Sequence, residues 1–157
     1  MLFRSPHVSD VPGAIDLAVV CVPPDQVLDV VDACIAKGVT ALVVITAGFA
    51  ETGPAGRALE QRLLDKVRTA GIRLIGPNCM GIINTDPAVR LNATFAPVTP
   101  VPGRVGFSTQ SGALGLAILD YVHQLRLGIS SFVSVGNKAD VSGNDLIQYW
   151  EIGRAHV

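Results

Sequence analysis

Two short runs of β-branched and apolar residues constrain the fold of this chain more than any other feature. The runs AIDLAVVCV (residues 14–22) and VTALVVIT (residues 39–46) have the length and composition of strands that are buried on both faces. The segment between them places its apolar side chains on one helical face, and Gly38 ends that pattern. Buried strands joined by a helix are typical of a parallel sheet, so the fold class is predicted to be α/β.

The same alternation continues after the second run. Residues 56–71 form an amphipathic helical pattern that ends in glycine, and IRLIG (residues 72–76) is a third strand. The order β-α-β-α-β with short connections predicts half of a doubly wound, Rossmann-like parallel sheet.

A second unit is expected after a connector. Four prolines and Gly103 within residues 86–103 predict an extended linker. Beyond it, the pattern predicts a strand at 104–107, a helix at 111–125, a strand at 129–135 and a further helix from about Asp145. We therefore expect one domain over residues 6–85 and the opening of a second α/β domain over residues 104–151.

The composition excludes several classes of function. A net charge of −1 and an aromatic content of 5% leave neither a basic stripe nor a stacking platform for nucleic acid. No apolar run approaches the ~18 residues of a membrane span, and we expect no secretory leader. The three cysteines lack metal-ligand spacing, so we expect no metal site, reduced thiols and a cytoplasmic location.

The two ends of the chain are expected to be foreign sequence. One inverted DNA sequence can encode both MLFRS (residues 1–5) and IGRAHV (residues 152–157), and that DNA resembles a short-read sequencing adaptor. The native segment is then about Pro6 to Glu151, cut from the middle of a longer gene.

The stretch STQSG (residues 108–112) predicts an anion site. It lies where a predicted strand turns into a helix, and the first turn of a helix offers free N–H groups and the positive end of the helix dipole. Ser108, Gln110 and Ser111 add side-chain donors, and Gly112 allows close approach. The alternative is that Ser111 only caps its own helix.

Small and polar residues recur at the carboxyl end of each predicted strand, which is where ligands bind open parallel sheets. The five stretches are VPPD (22–25), ITAGFAETG (45–53), GPNCMG (76–81), STQSGALG (108–115) and VGNKADVSGND (135–145). Five such stretches in register predict one composite ligand site. A dinucleotide-dependent dehydrogenase is disfavoured, because the G-x-G-x-x-G loop and the following acid are missing.

Over about Pro12 to Glu151 the chain resembles the NDP-forming acyl-CoA synthetases, the superfamily of succinyl-CoA synthetase and ADP-forming acetate–CoA ligase. The resemblance rests on the five stretches above and on the spacing between them. It also extends to the ligase-like half of bacterial proteins fused to a GNAT acetyltransferase domain. It implies the C-terminal part of a Rossmann-like CoA-binding domain, followed by the start of a flavodoxin-like ligase domain.

The resemblance also implies a reaction. Acyl-CoA and phosphate give an acyl phosphate, which phosphorylates a histidine, and a separate ATP-grasp domain or subunit then passes the phosphoryl group to a nucleotide. ATP or ADP and Mg would bind outside this chain. The phosphohistidine is expected downstream of Glu151, so His7 and His123 are not expected to serve.

The resemblance further assigns residues to ligands. The expected coenzyme A contacts are Val22, Pro23, Pro24, Thr46, Ala47, Gly48, Asn78 and Cys79. The expected contacts to phosphate or acyl phosphate are Ser108, Gln110, Ser111, Gly112, Gly136 and Asn137. For several of them a local role stays open, namely a strand-ending turn at Val22–Pro24, an Asx turn at Asn78 and buried packing of Cys79.

Two hypotheses of function follow. The first is a fragment of an acyl-CoA synthetase that is inactive by itself and acts on a small carboxylic acid. Leu116 and Ala117 replace a Tyr-Glu pair of succinyl-CoA synthetases, which disfavours a succinate-like diacid. The second is a non-catalytic module that senses CoA or acyl-CoA within a protein acetyltransferase.

Overall fold

A computed structural model describes the backbone of residues 5–154 and the side chains of residues 5–152. It contains seven strands and four α-helices within that range. They are β1 (Leu17–Val20), α1 (Val27–Lys37), β2 (Ala41–Val44), α2 (Pro54–Thr69), β3 (Arg73–Ile75), β4 (Gly81–Asn84), β5 (Leu91–Thr94), β6 (Pro102–Thr109), α3 (Gly112–Gln124), β7 (Ile129–Ser134) and α4 (Gly143–Arg154). Most of the two end segments expected to be foreign, residues 1–4 and 155–157, lies outside the described residues.

The first sheet is parallel, in the order β1-β2-β3, as the strand pattern predicts. Val20 pairs with Val44, and Leu42 pairs with Leu74. These four side chains lie in one core with buried residues of both crossover helices, which are Val27, Val31 and Cys34 of α1 and Leu63 and Val67 of α2. Both helices therefore cover the same face, as right-handed crossovers that progress in one direction require.

Glycine ends the first helix as the sequence predicts. Gly38 adopts a φ of +83° at the C-cap of α1, and its N–H donates to the carbonyl of Ile35 at 3.0 Å. A left-handed residue at this position turns the chain out of the helix and satisfies a free carbonyl group. The chain reaches β2 three residues later.

The second sheet is mixed, and it includes residues of the segment predicted to be an extended linker. Its order is β5-β4-β7-β6, with β6 parallel to β7 and β4 antiparallel to both β5 and β7. The segment 86–103 thus contains β5 and the start of β6. The hairpin between β4 and β5 turns at Asp86, whose carboxylate accepts from Ala88 N–H at 2.8 Å. Both strands are only four residues long and contain Asn, which is depleted in strands, so long-range pairing is what reveals them.

The faces of the second sheet are covered by different helices. Phe132 is fully buried with Met80, Ile83, Leu119 and Val122, beneath α3. The next residue, Val133, faces the other way and packs with Leu146 and Trp150 of α4. Side chains alternate along a strand, so α3 and α4 lie on opposite faces. The rings of Phe107 and Phe132 stack at 5.7 Å between centroids.

The segment after β7 joins the two sheets. Hydrogen bonds run from Asn137 N–H to Pro77 O (3.0 Å), from Ala139 N–H to Gly76 O (3.1 Å) and from Val141 N–H to Leu74 O (3.1 Å). Residues 137–141 therefore cover the free edge of β3, which would otherwise expose unpaired backbone groups. The Arg73 guanidinium and the Asp140 carboxylate, 2.9 Å apart, add an ion pair along the same contact.

No helix within residues 5–154 combines the length and the hydropathy that crossing a membrane would demand.

The core of the second sheet is expected to depend on Phe132. Replacing Phe132 by Ala should lower the free energy of unfolding by about 3–5 kcal/mol, because it leaves a cavity and removes the ring stack. Urea denaturation followed by circular dichroism measures this change. The matched control is Phe95→Ala, since Phe95 is 57% exposed and its loss should cost about 0.5 kcal/mol or less. Equal losses for the two variants would contradict this account of the core.

Candidate functional site

The loops that follow β1, β2 and β3 meet at one edge of the first sheet. The Thr46 hydroxyl donates to the carbonyl of Val22 at 2.7 Å. The Asn78 N–H donates to the carbonyl of Thr46 at 2.9 Å. One residue from each loop is therefore connected to the next, and the residues assigned to coenzyme A form one continuous edge.

The surface of this edge is small and mostly apolar. Pro23 and Ala47 are exposed on adjacent loops, and Val22 is half-buried. Gly48 lies so close to Pro24 that a Cβ on the glycine would come within 3.0 Å of the proline ring. Gly48 also has a φ of +104°, so a side chain there would be strained. Glycine at this position lets the two loops approach closely.

Two carboxylates hold the turn that follows β2. Glu51 accepts from the N–H groups of Gly48 (2.5 Å) and Phe49 (3.1 Å), and Glu60 accepts from the N–H of Ala50 (3.2 Å). Burial by itself would raise the pKa of Glu51. Hydrogen bonds from Asn137, Gly48 and Phe49 outweigh that effect and lower the pKa, so the group is a carboxylate at neutral pH.

Cys79 is a buried thiol at the centre of the edge. Its Sγ donates to the carbonyl of Val44 at 3.3 Å, and its side chain lies beneath the Gly76 turn. Burial raises the pKa of Cys79 to about 11, so the group is a neutral thiol at physiological pH. A neutral buried thiol fits packing and not nucleophilic attack.

Gly136 and Asn137 pack against the loop after β3. Gly136 has a φ of +54°, and a Cβ there would lie 2.3 Å from Pro77 O and 2.4 Å from Asn78 O. The Asn137 side chain receives a hydrogen bond from Asn78 Nδ2 at 3.2 Å. The structure thus brings these two residues to the coenzyme-assigned edge, whereas the sequence grouped them with the phosphate contacts.

A separate cleft of about 430 Å³ opens beside the second sheet. It lies at the carboxyl ends of β6 and β7 and reaches the first residues of α4, with walls formed by Ser108, Thr109, Gln110, Val135, Lys138, Ser142, Gly143 and Asn144. Ser108 and Gln110 of the phosphate-assigned set line it. Ser111 and Gly112 lie at the start of α3, next to this wall and outside it.

Ser111 is the N-cap of α3. Its Oγ accepts from the N–H of Leu114 at 3.2 Å. This is the local role that the sequence left open as the alternative, and it satisfies one of the free N–H groups of the first helical turn. A direct contact between Ser111 and a phosphate stays a prediction.

Three residues of this region were missed by sequence reasoning. Glu51 and Lys138 lie inside stretches that were predicted to bind a ligand because of their small and polar residues. A charged residue within such a glycine-rich loop is the signal that could have identified them. Glu60 lies in α2 and meets Asn137 across 77 positions of sequence. Nothing in the local pattern of α2 distinguishes that contact from a solvated helix face.

No metal-binding cluster is found in the described part of the chain, and the two histidines described there are exposed. No three His, Cys, Asp or Glu side chains gather there in a way that could hold a metal ion. His123 is exposed in the last turn of α3, and His7 is exposed before the first 3₁₀ turn, at Val8–Asp10.

Comparison with known proteins gives two matching family models. A CoA binding domain matches residues 4–85, and a succinyl-CoA ligase like flavodoxin domain matches residues 102–154. The fold and the matched models define a Rossmann-like CoA-binding unit followed by a flavodoxin-like unit. The chain belongs to the family of CoA binding domains over residues 4–85 and is similar, over most of its length, to NDP-forming acyl-CoA synthetases.

Individual relatives agree with this assignment. The alpha subunit of ADP-forming acetate–CoA ligase I from Pyrococcus furiosus is 41% identical over 144 residues, which are 92% of this chain and 31% of that protein. The ADP-forming acetate–CoA ligase of Methanocaldococcus jannaschii is 48% identical over 143 residues, 91% of this chain and 20% of that protein. The chain therefore spans a fifth to a third of the length of these relatives.

A solved structure gives the same picture. Acetyl-coenzyme A synthetase 1 of Candidatus Korarchaeum cryptofilum, in complex with phosphate and ADP, superposes with a TM-score of 0.88 at 46% identity. The match covers 96% of this chain and 32% of that one.

The burial of Cys79 predicts a clear order of thiol reactivity. At pH 8 a maleimide should label the exposed Cys21 at least about a hundredfold faster than Cys79, because a thiol with a pKa of about 11 is ionised to roughly a thousandth at that pH. Mass spectrometry of peptides over time measures the two rates. Labelling in urea is the control, since it should bring the two rates together. Rapid labelling of Cys79 in the folded protein would refute the buried placement.

Gly136 is expected to tolerate no side chain. Gly136→Ala should cost about 2–4 kcal/mol of stability, because the new methyl group would overlap two carbonyl oxygens and the backbone is left-handed. The control is Gly143→Ala, where a Cβ meets nothing within 4 Å and helix propensity improves. Chemical denaturation compares the two. A near-neutral Gly136→Ala variant would mean that the loops are not packed as described.

Proposed function

We propose that this chain is the coenzyme A and acyl phosphate part of an ADP-forming acyl-CoA synthetase. The observation that carries the proposal is the presence of two family matches in one chain, a CoA binding domain before a flavodoxin-like succinyl-CoA ligase domain. The relatives described above are ligases, which favours the synthetase over an acyl-CoA sensing module of an acetyltransferase. Since the chain spans only part of them, the complete reaction also needs residues outside it.

The edge of the first sheet suits coenzyme A. Its pantetheine arm is long and carries apolar carbons between amide groups. Exposed Pro23 and Ala47 offer apolar contact, and Asn78, which is half-buried beside them, offers a polar group. In this proposal Val22, Pro24, Thr46 and Gly48 shape the surface. Cys79 packs behind it as a neutral thiol.

The cleft beside the second sheet suits a phosphoryl group. It is lined by residues at the start of α4 and by residues just before α3, and both helices are long enough to present a positive end to an anion. Ser108 and Gln110 add neutral donors, and Lys138 adds a positive charge at the wall. Ser111 and Gly112 would hold the first turn of α3 in place beside the bound group.

The proposed reaction transfers a phosphoryl group between acyl phosphate and a histidine outside this chain. An ATP-grasp domain or subunit would carry the nucleotide and Mg, and the synthetase would work in the cytoplasm. Acetate is the acid named in two of the relatives above. The residues at Leu116 and Ala117 agree with a small acid that has no second carboxylate.

Phosphoryl labelling tests the proposal. When the full-length protein that contains this chain is incubated with γ-labelled ATP, a histidine should acquire a phosphoryl label that acid removes. Peptide mapping should place this label outside these 157 residues. His123→Ala should label like the wild type, because His123 is exposed at the far end of α3. Residues 5–154 alone should bind CoA and form no acyl-CoA. Label on His7 or His123, or turnover by the isolated segment, would overturn the proposal.

A further inference from the structure

Two carboxylates from different elements converge on one amide group. Asn137 Nδ2 donates to Glu51 Oε2 at 2.6 Å and to Glu60 Oε2 at 2.7 Å. Glu51 lies in the short 3₁₀ turn after β2, and Glu60 lies in α2. The amide comes from the segment after β7, so this cluster joins three separate parts of the chain.

The orientation of the Asn137 amide is fixed by chemistry. An ionised carboxylate only accepts hydrogen bonds, so the atom facing both glutamates must be the NH₂ nitrogen. The amide oxygen on the other side accepts from Asn78 Nδ2 at 3.2 Å. Every polar atom of the side chain therefore has a partner within the chain. The residue has no free donor for a phosphate.

The same carboxylates hold the Thr46–Ala50 turn, which the proposed function assigns to coenzyme A. Together they accept from three successive backbone N–H groups, those of Gly48, Phe49 and Ala50. Neither glutamate has a cation within salt-bridge distance among the described residues. Neutral amides alone compensate the two charges, and Asn137 supplies the only side-chain donor among them.

We propose that Asn137 is a positioning residue, which holds the Thr46–Ala50 turn against the Asn78 loop through Glu51 and Glu60. This inference rests on the proposed function, because it assigns the turn to coenzyme A binding. It also explains how the loop after β2 and the segment after β7 keep a fixed position relative to each other. The backbone of the same residue is tied to Pro77, and the next residue, Lys138, lines the phosphate cleft.

The sharpest test is Asn137→Asp, which keeps the shape and replaces the donor by an acceptor. Three carboxylates would then face one another, and the turn should open. In the full-length protein we expect hydrogen exchange in the peptide covering Thr46–Thr52 to rise at least about tenfold. The KM for CoA should also rise at least about tenfold, with the KM for ADP unchanged.

A second substitution should rescue the first. In Asn137→Asp combined with Glu60→Gln, the new amide can donate to the new carboxylate, so part of the exchange protection and of the affinity for CoA should return. Recovery should stay incomplete, because Glu51 still faces the carboxylate introduced at position 137 and the Ala50 N–H loses its acceptor at Glu60. A merely destabilised fold would not recover in this way. Glu60→Gln by itself should raise the KM for CoA by about threefold, since a neutral acceptor binds N–H groups less strongly. Asn92→Asp, an exposed change on β5, is the matched control and should behave like the wild type.

These measurements distinguish a failure of the positioning role of Asn137 from a failure of the proposed function. Increased exchange with an unchanged KM for CoA would mean that the turn does not bind the coenzyme, and would overturn the inference. Unchanged exchange, or no rescue by Glu60→Gln in a variant whose circular dichroism is native, would overturn it as well. A wild-type protein that fails to bind CoA would overturn the proposed function, while the exchange data would still decide whether the cluster holds the turn.

Discussion

The backbone pairing between β3 and the segment after β7 is the contact on which the rest of this structure depends. Residues 137–141 run along β3 and close its open edge, so two sheets that are separate in topology are joined by backbone hydrogen bonds. Next to this contact, Ile75 of the first sheet packs with Val135 and Leu146 of the second unit. Because an unpaired buried N–H is costly, this edge fixes where the second unit can lie.

The pairing of residues 137–141 with β3 also explains why the candidate site spans both units. The Gly76–Asn78 loop is held from below by β2 and from the side by Gly136 and Asn137. Close packing leaves no room for a side chain at Gly76 or Gly136, and the approach of backbone to backbone brings the coenzyme-assigned edge near the phosphate-assigned cleft. A site of this kind depends on how loops of different sheets pack, and less on any single motif.

At the coenzyme-assigned edge, hydrogen bonds from neutral amide groups compensate the negative charges of Glu51 and Glu60. Glu51 and Glu60 are surrounded by N–H groups of the turn and by Asn137, and the lowered pKa of Glu51 reflects those hydrogen bonds. At the phosphate-assigned cleft, Lys138 is the charged residue of the wall, and Ser108, Thr109 and Gln110 are neutral. The positive charge of Lys138 at the cleft contrasts with the two carboxylates at the turn.

Local patterns in the sequence are enough to predict the α/β class, the three parallel strands, the two crossover helices and the stretches that form the edges. These features follow from local periodicity and from glycine at helix ends, which need no distant partner. Long-range packing creates the other features, which are the strands β4 and β5, the closure of β3 by residues 137–141 and the contact between Asn137 and Glu60. Each depends on pairing across many residues, and a short polar strand or an asparagine in a loop carries no local signal of its distant partner.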